Sequence, residues 1–242
     1  MNKEKKTLKN EKVIYLIDNY QLNFPTERIE RIKDIIKQNF PSINLKTLHY
    51  SQLDIKHLKD ISGYILSGSN FNVSEFYNDK NLRKKFKPEI QLIRKKNQKP
   101  ILAICYGFHL IAYAFNGKIQ RMNILKSGSQ IISISLNKSD ELIPFDEIPV
   151  NVHHRDYLLP DDPHIRSTFQ IIAAKEIDGY KTVQYMRHLK RPIFSIQFHP
   201  ETHYSNNNFA KVYDEAIVNK TKTIGEEIIE SFIYNCLKIN NS

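Results

Sequence analysis

The chain has 242 residues, and 40% of them are hydrophobic, which is enough for one sizeable buried core and argues against a disordered chain. Its longest apolar runs are far shorter than the roughly 18–20 residues that a membrane-spanning helix needs. The first residues carry no apolar segment with a small-residue cleavage site behind it. We therefore expect a cytoplasmic chain without membrane contact.

The distribution of charge and the number of cysteines argue against nucleic-acid binding and against a metal site. Lys and Arg number 36 against 26 Asp and Glu, giving a net charge of +10, but the lysines are scattered through every segment. Proteins that bind nucleic acid cluster their positive charge, so we do not expect such a partner. The chain has only two cysteines, Cys105 and Cys236, and its histidines show no paired metal-ligand spacing. We therefore predict no metal site.

The first half of the chain alternates short apolar runs with segments of helical periodicity. One helical segment begins after residue 25 and has isoleucines at 29, 32, 35 and 36. Two more cover 88–97 and 108–115. Continuous apolar strands separated by helices are typical of a parallel sheet covered on both faces. The predicted strands cover 13–17, 43–48, 62–66 and 100–104.

The pattern changes after residue 118, where short strands are punctuated by Pro and Asp. We predict strands at 129–136, 168–174, 182–186 and 192–198, added antiparallel to the sheet, and a closing helix over 225–237. The predicted fold is therefore α/β, a three-layer, mostly parallel sheet flanked by helices. No long linker divides the chain, so we expect a single domain over 1–242, with a flexible tail at 1–11.

Cys105 lies between an apolar strand and a helix, and Gly107 follows two residues later. This is the form of a nucleophile elbow, which exposes a reactive side chain at the carboxyl end of a parallel strand. The positive end of the helix favours the thiolate that attacks substrates. The alternative is that Cys105 is a small buried hydrophobe, which is a common role of cysteine.

Two further segments supply groups that a thiol nucleophile needs. His199 and Glu201 follow the apolar strand at 194–198, and their spacing of two places both on one side of an extended segment. A base and a carboxylate that orients it are the partners of a catalytic thiol. The turn Ser67-Gly68-Ser69-Asn70 ends another strand, where backbone N–H groups can hold an oxyanion. Taken singly, each segment is also compatible with an ordinary strand end or turn.

Together these motifs resemble the class I glutamine amidotransferases, whose triad is Cys, His and Glu. The segment 103–107 resembles the family's nucleophile motif, most closely as GMP synthase glutaminase domains carry it, and 197–201 matches its second signature. The segment 64–68 resembles the oxyanion strand, and 225–232 resembles the closing helix. The motifs come in the family's order and span most of the chain.

The resemblance implies a triad of Cys105, His199 and Glu201, and an oxyanion hole made by the backbone N–H groups of Gly68 and Tyr106. Glutamine is then hydrolysed through a γ-glutamyl thioester, and no cofactor is needed. The ammonia released implies a separate synthetase partner that consumes it, because the sequence shows no ATP-binding motif.

The substrate pocket departs from the family pattern at four positions. His109 stands where glutamine is usual, Ser69 replaces a second glycine, and His153 and Arg155 replace smaller residues. We predict that all four line the substrate pocket. The pocket then takes either glutamine or another amide such as a γ-glutamyl peptide, with Arg155 pairing a substrate carboxylate or pointing to solvent.

Two other functions stay open from the sequence: a free-standing amidase or peptidase, and a non-catalytic binding relative. Residues 202–223, rich in Asn and Lys, are predicted to be a loop inserted before the closing helix.

Overall fold

A computed structural model describes residues 12–23, 27–95, 99–123, 129–201 and 212–239. The predicted tail at 1–11 lies outside these residues, and the single domain over 1–242 stays a prediction. The strands are β1 (Val13–Asp18), β2 (Asn44–His49), β3 (Ile61–Leu66), β4 (Ile101–Ile104), β5 (Ile119–Arg121), β6 (Gln130–Ser135), β7 (Glu147–Val152), β8 (Asp156–Leu158), β9 (Phe169–Ile177), β10 (Tyr180–His188) and β11 (Ile193–Ile196). The helices are α1 (Glu27–Asn39), α2 (Lys80–Lys85), α3 (Lys87–Arg94), α4 (Tyr106–Ala114), α5 (Pro163–Arg166) and α6 (Glu215–Ile239).

Seven strands form the central sheet in the order β2-β1-β3-β4-β11-β10-β9. The first five are parallel to one another, β10 is antiparallel to β11, and β9 is antiparallel to β10. Strands β9 and β10 form a hairpin through Asp178 and Gly179, which both have positive φ, as a tight Asp-Gly turn requires. The predicted α/β fold with antiparallel additions is confirmed.

The sheet separates two buried apolar clusters. In β1, Ile14 and Leu16 belong to one cluster, whereas Tyr15 and Ile17 belong to the other, as alternation along a strand requires. The first cluster includes buried residues of α1 and α6, and the second includes those of α3 and α4. Both faces of the sheet are therefore covered by helices, so the site must lie at the ends of the strands.

Three sequence predictions need correction. The strand predicted at 192–198 as an antiparallel addition forms as β11, which lies parallel to β4 within the central sheet. A short apolar run does not reveal the direction in which it pairs. The strand predicted at 129–136 forms as β6, but it pairs with β7 in a separate two-stranded ribbon and does not join the central sheet. Strand alternation does not reveal which partner a strand chooses.

The closing helix begins at Glu215, so residues 215–223 are helical rather than part of an inserted loop. Residues 202–211 of that predicted loop lie outside the described residues.

The described part of the chain contains no helix that is long and apolar enough to cross a membrane.

Candidate active site

Cys105 forms a sharp turn between β4 and α4, with φ 51° and ψ −96°. Positive φ is costly for a residue with a side chain, and such strain concentrates at functional positions. The Cys105 N–H donates to the Ile196 carbonyl at 2.9 Å, which fixes the turn to the end of β11. Its Sγ lies 3.8 Å from the His153 carbonyl oxygen. The geometry is that of a nucleophile elbow.

Gly107 lets the start of α4 approach the end of β3. A Cβ at this position would lie 2.6 Å from the Leu66 carbonyl oxygen, closer than real side chains come. The Gly107 N–H donates to the Ser67 carbonyl at 3.2 Å. This contact brings the turn that contains Gly68 next to the turn that contains Cys105.

The predicted oxyanion residues lie on either side of this contact. Gly68 lies beside the predicted base, because a Cβ there would be 2.9 Å from Cε1 of His199. Tyr106 is the first residue of α4. Among the described residues, neither the Gly68 nor the Tyr106 backbone N–H donates to another main-chain carbonyl. Both amides are therefore available to a ligand at the elbow.

His199 and Glu201 form a buried pair just after β11. Their side chains are 1% exposed, and His199 Nδ1 lies 2.8 Å from Glu201 Oε1. The His199 side chain also hydrogen-bonds to Cys105. The His199 N–H donates to the Asn151 carbonyl at 2.8 Å and so fixes this segment to β7. The structure brings together the three residues that the sequence motifs single out.

Opposing effects set the charge of this pair. Burial and the Arg28 guanidinium lower the pKa of His199, but Cys105 and the Glu201 carboxylate raise it, and the result is a pKa of about 9. Burial raises the pKa of Glu201. The charge and hydrogen bond of His199, the charge of Arg28 and a backbone hydrogen bond together lower it by more, so the carboxyl pKa falls below its usual value. The arrangement favours an imidazolium beside a carboxylate.

A cavity of about 320 Å³ opens beside Cys105. Its wall also contains Arg121, which no sequence motif marks, and His154 and Asp156, which lie in the segment 152–156 that resembles the family's motif beside the bound glutamine. Six of the predicted site residues line it: Ser69, Cys105, Tyr106, His109, His153 and Arg155. Within the described residues, no group of three or more His, Cys, Asp or Glu side chains is arranged to hold a metal ion.

The replaced pocket residues differ in what they offer a ligand. His109 is buried at 3% exposure, and burial lowers its pKa to about 3, so it is neutral at physiological pH. The Ser69 hydroxyl donates to the Asn19 carbonyl at 2.5 Å and accepts from the Phe71 N–H at 3.0 Å. Ser69 therefore supports the turn as well as lining the cavity.

His153 and Arg155 line the cavity, and both are exposed. Partial desolvation and the positive charges of Arg28 and His199 lower the pKa of His153 to about 4. Its Nδ1 lies 3.1 Å from the Ser129 hydroxyl. Arg155 is thus the one of these two side chains that offers a positive charge at neutral pH.

Arg28 is a site residue that the sequence motifs do not predict. It lies in the first turn of α1, and its Nη1 is 3.0 Å from His199 Nε2. Only the packing of α1 against the sheet brings this arginine to the triad. A single charged residue on a helix with an apolar stripe carries no signal of such a contact.

A parallel sheet with a cysteine elbow and a buried His–Glu pair at the carboxyl ends of its strands is typical of hydrolases that use a cysteine nucleophile. The family model for glutamine amidotransferase class-I matches residues 21–218. The chain therefore belongs to the class I glutamine amidotransferase family and is an enzyme of that class.

Individual relatives agree with this assignment. The chain is 33% identical over 178 residues to the glutamine-hydrolysing GMP synthase of Staphylococcus aureus, a match that covers 68% of this chain and 30% of that protein. The chain therefore spans less than a third of the length of this relative.

Solved structures support the fold. A putative GMP synthase subunit from Thermoplasma acidophilum has a TM-score of 0.69 at 22% identity, covering 96% of both chains. A glutamine amidotransferase from Thermotoga maritima has a TM-score of 0.68 at 16% identity, covering 95% of this chain and 99% of that one.

Proposed function

We propose that the chain hydrolyses the side-chain amide of glutamine, with Cys105 as nucleophile. The Cys105 thiol first gives its proton to His199, and sulfur then attacks the amide carbon as the thiolate of the resulting thiolate–imidazolium pair. The observation that supports this most is the buried 2.8 Å contact between His199 and Glu201, next to a strained cysteine at a strand end. Glu201 orients the imidazole and stabilises its charged form.

The tetrahedral intermediate places negative charge on the former carbonyl oxygen. In our proposal the backbone N–H groups of Gly68 and Tyr106 hold this oxygen, since both flank the elbow and have no main-chain acceptor in the described structure. His199 then returns its proton to the leaving nitrogen, and ammonia departs. Water cleaves the γ-glutamyl thioester, which releases glutamate and restores the thiol.

We further propose that the ammonia is delivered to a synthetase partner. The support is the similarity to a glutamine-hydrolysing GMP synthase and, in fold, to a putative GMP synthase subunit. A GMP synthase-type acceptor is therefore the first partner to test.

One observation favours a second substrate class. Arg155 lines the cavity and stands where the family pattern has a smaller residue, whereas Arg121, which also lines it, pairs with Glu75 at 2.8 Å. A guanidinium at this position can pair with a carboxylate beyond the glutamine unit. A γ-glutamyl peptide, cleaved by the free-standing chain, is therefore the alternative substrate.

The test is ammonia or amine release by the purified chain from glutamine and from a γ-glutamyl dipeptide, with Cys105→Ala as the control. We expect turnover of glutamine that disappears in the variant and rises when a synthetase partner is added. Rapid cleavage of the dipeptide alone would favour the alternative. Absence of any reaction, together with a Cys105 thiol no more reactive than that of buried Cys236, would contradict both.

A further inference from the structure

The structure places a cation directly on the histidine of the triad. Arg28 Nη1 lies 3.0 Å from Nε2 and 3.3 Å from Nδ1 of His199, and 3.3 Å from the Tyr20 hydroxyl. An atom almost equally close to both ring nitrogens would collide with Cε1 if it lay in the ring plane. The guanidinium nitrogen must therefore lie over the face of the imidazole.

This position leaves both ring nitrogens accessible to their triad partners. Nδ1 is engaged by Glu201 at 2.8 Å, and the ring also hydrogen-bonds to the Cys105 side chain. Arg28 adds a stacking contact, which restrains the tilt of the ring without replacing either bond. A planar guanidinium suits such a contact, whereas the ammonium of lysine does not.

Arg28 lies close to the wall of the substrate cavity, because its charge lowers the pKa of His153, which lines that cavity. The residues that line the cavity beside Cys105 do not include Arg28 or Tyr20. We therefore assign Arg28 to the His199 ring, which it contacts, rather than to the cavity wall.

We propose that Arg28 is a positioning residue for the amidase reaction, holding the His199 ring against Cys105 and promoting transfer of its proton to the leaving nitrogen. The inference rests on the proposed function for its catalytic consequence, but the contact with His199 stands on geometry alone.

The sign of the electrostatic effect follows from the surrounding charges. A guanidinium disfavours the imidazolium form of His199 and favours the thiolate of Cys105 and the carboxylate of Glu201. Without it, His199 would hold its proton more firmly and be a weaker acid toward ammonia. Within the described ranges, the titratable or charged groups near His199 are Cys105 at the start of α4, Glu201 on its own segment, Arg28 on α1, Tyr20 after β1, and His153 and His154 between β7 and β8.

The first experiment measures the rate of Cys105 alkylation by iodoacetamide against pH, read by mass spectrometry, which needs no turnover. In Arg28→Gln we expect the pH midpoint of alkylation to rise by about one unit, a tenfold change in the thiolate equilibrium. Lys37→Gln, which removes one exposed positive charge from the same helix, is the matched control and should leave the midpoint unchanged. A midpoint in Arg28→Gln equal to that of the control would overturn the proposal.

The second experiment separates positioning from substrate contact. Arg28→Lys keeps the charge and the fold but loses the planar stack, so we expect a near-normal alkylation midpoint, a lower kcat and an unchanged KM. A raised KM with normal kcat would mean that Arg28 contacts substrate, contrary to the proposal. If the native chain turns over no amide while the alkylation shift is present, the proposed function fails and the contact of Arg28 with the triad stands.

Discussion

At the residue scale, the proton affinity of His199 depends on the charge of Glu201. Replacing Glu201 with Gln keeps the size of the side chain and removes the charge that raises the pKa of His199. We expect that pKa to fall below about 9, so the alkaline limb of the pH–rate profile moves to lower pH. Turnover should fall by about 10²–10⁴-fold, because the imidazole loses its orienting partner.

The pH–rate profile of Glu201→Gln, with the exposed Glu227→Gln as its control, checks this expectation. An alkaline limb at the same pH as in the native chain would show that Glu201 does not control the imidazole.

Gly68 supports a second prediction at this scale. A Cβ at Gly68 would lie 2.7 Å from the Tyr20 hydroxyl and 2.9 Å from Cε1 of His199, so Gly68→Ala must displace the imidazole or the turn. We expect turnover to fall at least about tenfold while the thermal unfolding transition stays cooperative, because the strain is local. Unchanged kcat in this variant would argue against Gly68 as part of the oxyanion site.

The reactive residues were predictable from the sequence because each follows an apolar strand in a short motif. Cys105, His199 and Glu201 are of this kind, and the structure brings them together. Arg28 could not be predicted in this way, since its contact with His199 joins positions 171 residues apart through the packing of α1. Long-range contacts of this kind carry no local signal.

At the element scale, the approach of α4 to β3 explains why residue 107 is glycine. Alanine is favoured over glycine inside helices by about 1 kcal/mol, so Gly107→Ala would stabilise an isolated helix. Here its Cβ would lie 2.6 Å from the Leu66 carbonyl, and backbone cannot move aside cheaply. We expect net destabilisation by about 1–3 kcal/mol in urea unfolding.

Asn219→Ala, at an exposed position of α6, is the matched control for Gly107→Ala and should be neutral or slightly stabilising. A Gly107→Ala chain at least as stable as the native one would contradict the close packing of α4 against β3.

The helix α6 shows where composition misleads. The Asn and Lys content of 202–223 favoured a loop, yet within 215–223 and beyond, buried Thr221 and Ile224 continue the stripe that Ile228 belongs to. The polar residues are the exposed face of a helix. By contrast, the isoleucines of α1 at positions 29, 32, 35 and 36 are all buried, as their spacing predicted.

At the scale of the whole molecule, one buried acid links stability to pH. Glu89 is 1% exposed, and its Oε1 accepts a hydrogen bond from Asn19 Nδ2 at 3.1 Å, while Oε2 has no partner among the described residues. Burial raises its pKa from 4.5 to about 8. The folded chain therefore keeps this proton at pH values where the unfolded chain has lost it.

This difference predicts how stability depends on pH. The contribution of Glu89 is fully present below the unfolded pKa and is lost as pH rises through about 8. Glu89→Gln stays neutral at every pH, so we expect it to match the native chain near pH 4 and to be more stable at pH 9, by a margin on the order of a few kcal/mol.

Urea unfolding midpoints of the native chain and Glu89→Gln at the two pH values test this prediction, with the exposed Glu27→Gln as the control. An equal difference between the native chain and Glu89→Gln at both pH values would contradict a buried neutral Glu89.

The proposed function requires that Cys105 forms a γ-glutamyl thioester. The most direct measurement is intact-mass spectrometry of the chain quenched in acid during reaction with glutamine, followed by peptide mapping of the adduct. We predict a glutamyl adduct on Cys105, none on Cys236, and none in Cys105→Ala. Ammonia release that persists in Cys105→Ala, or an adduct on any other residue, would contradict the proposed reaction.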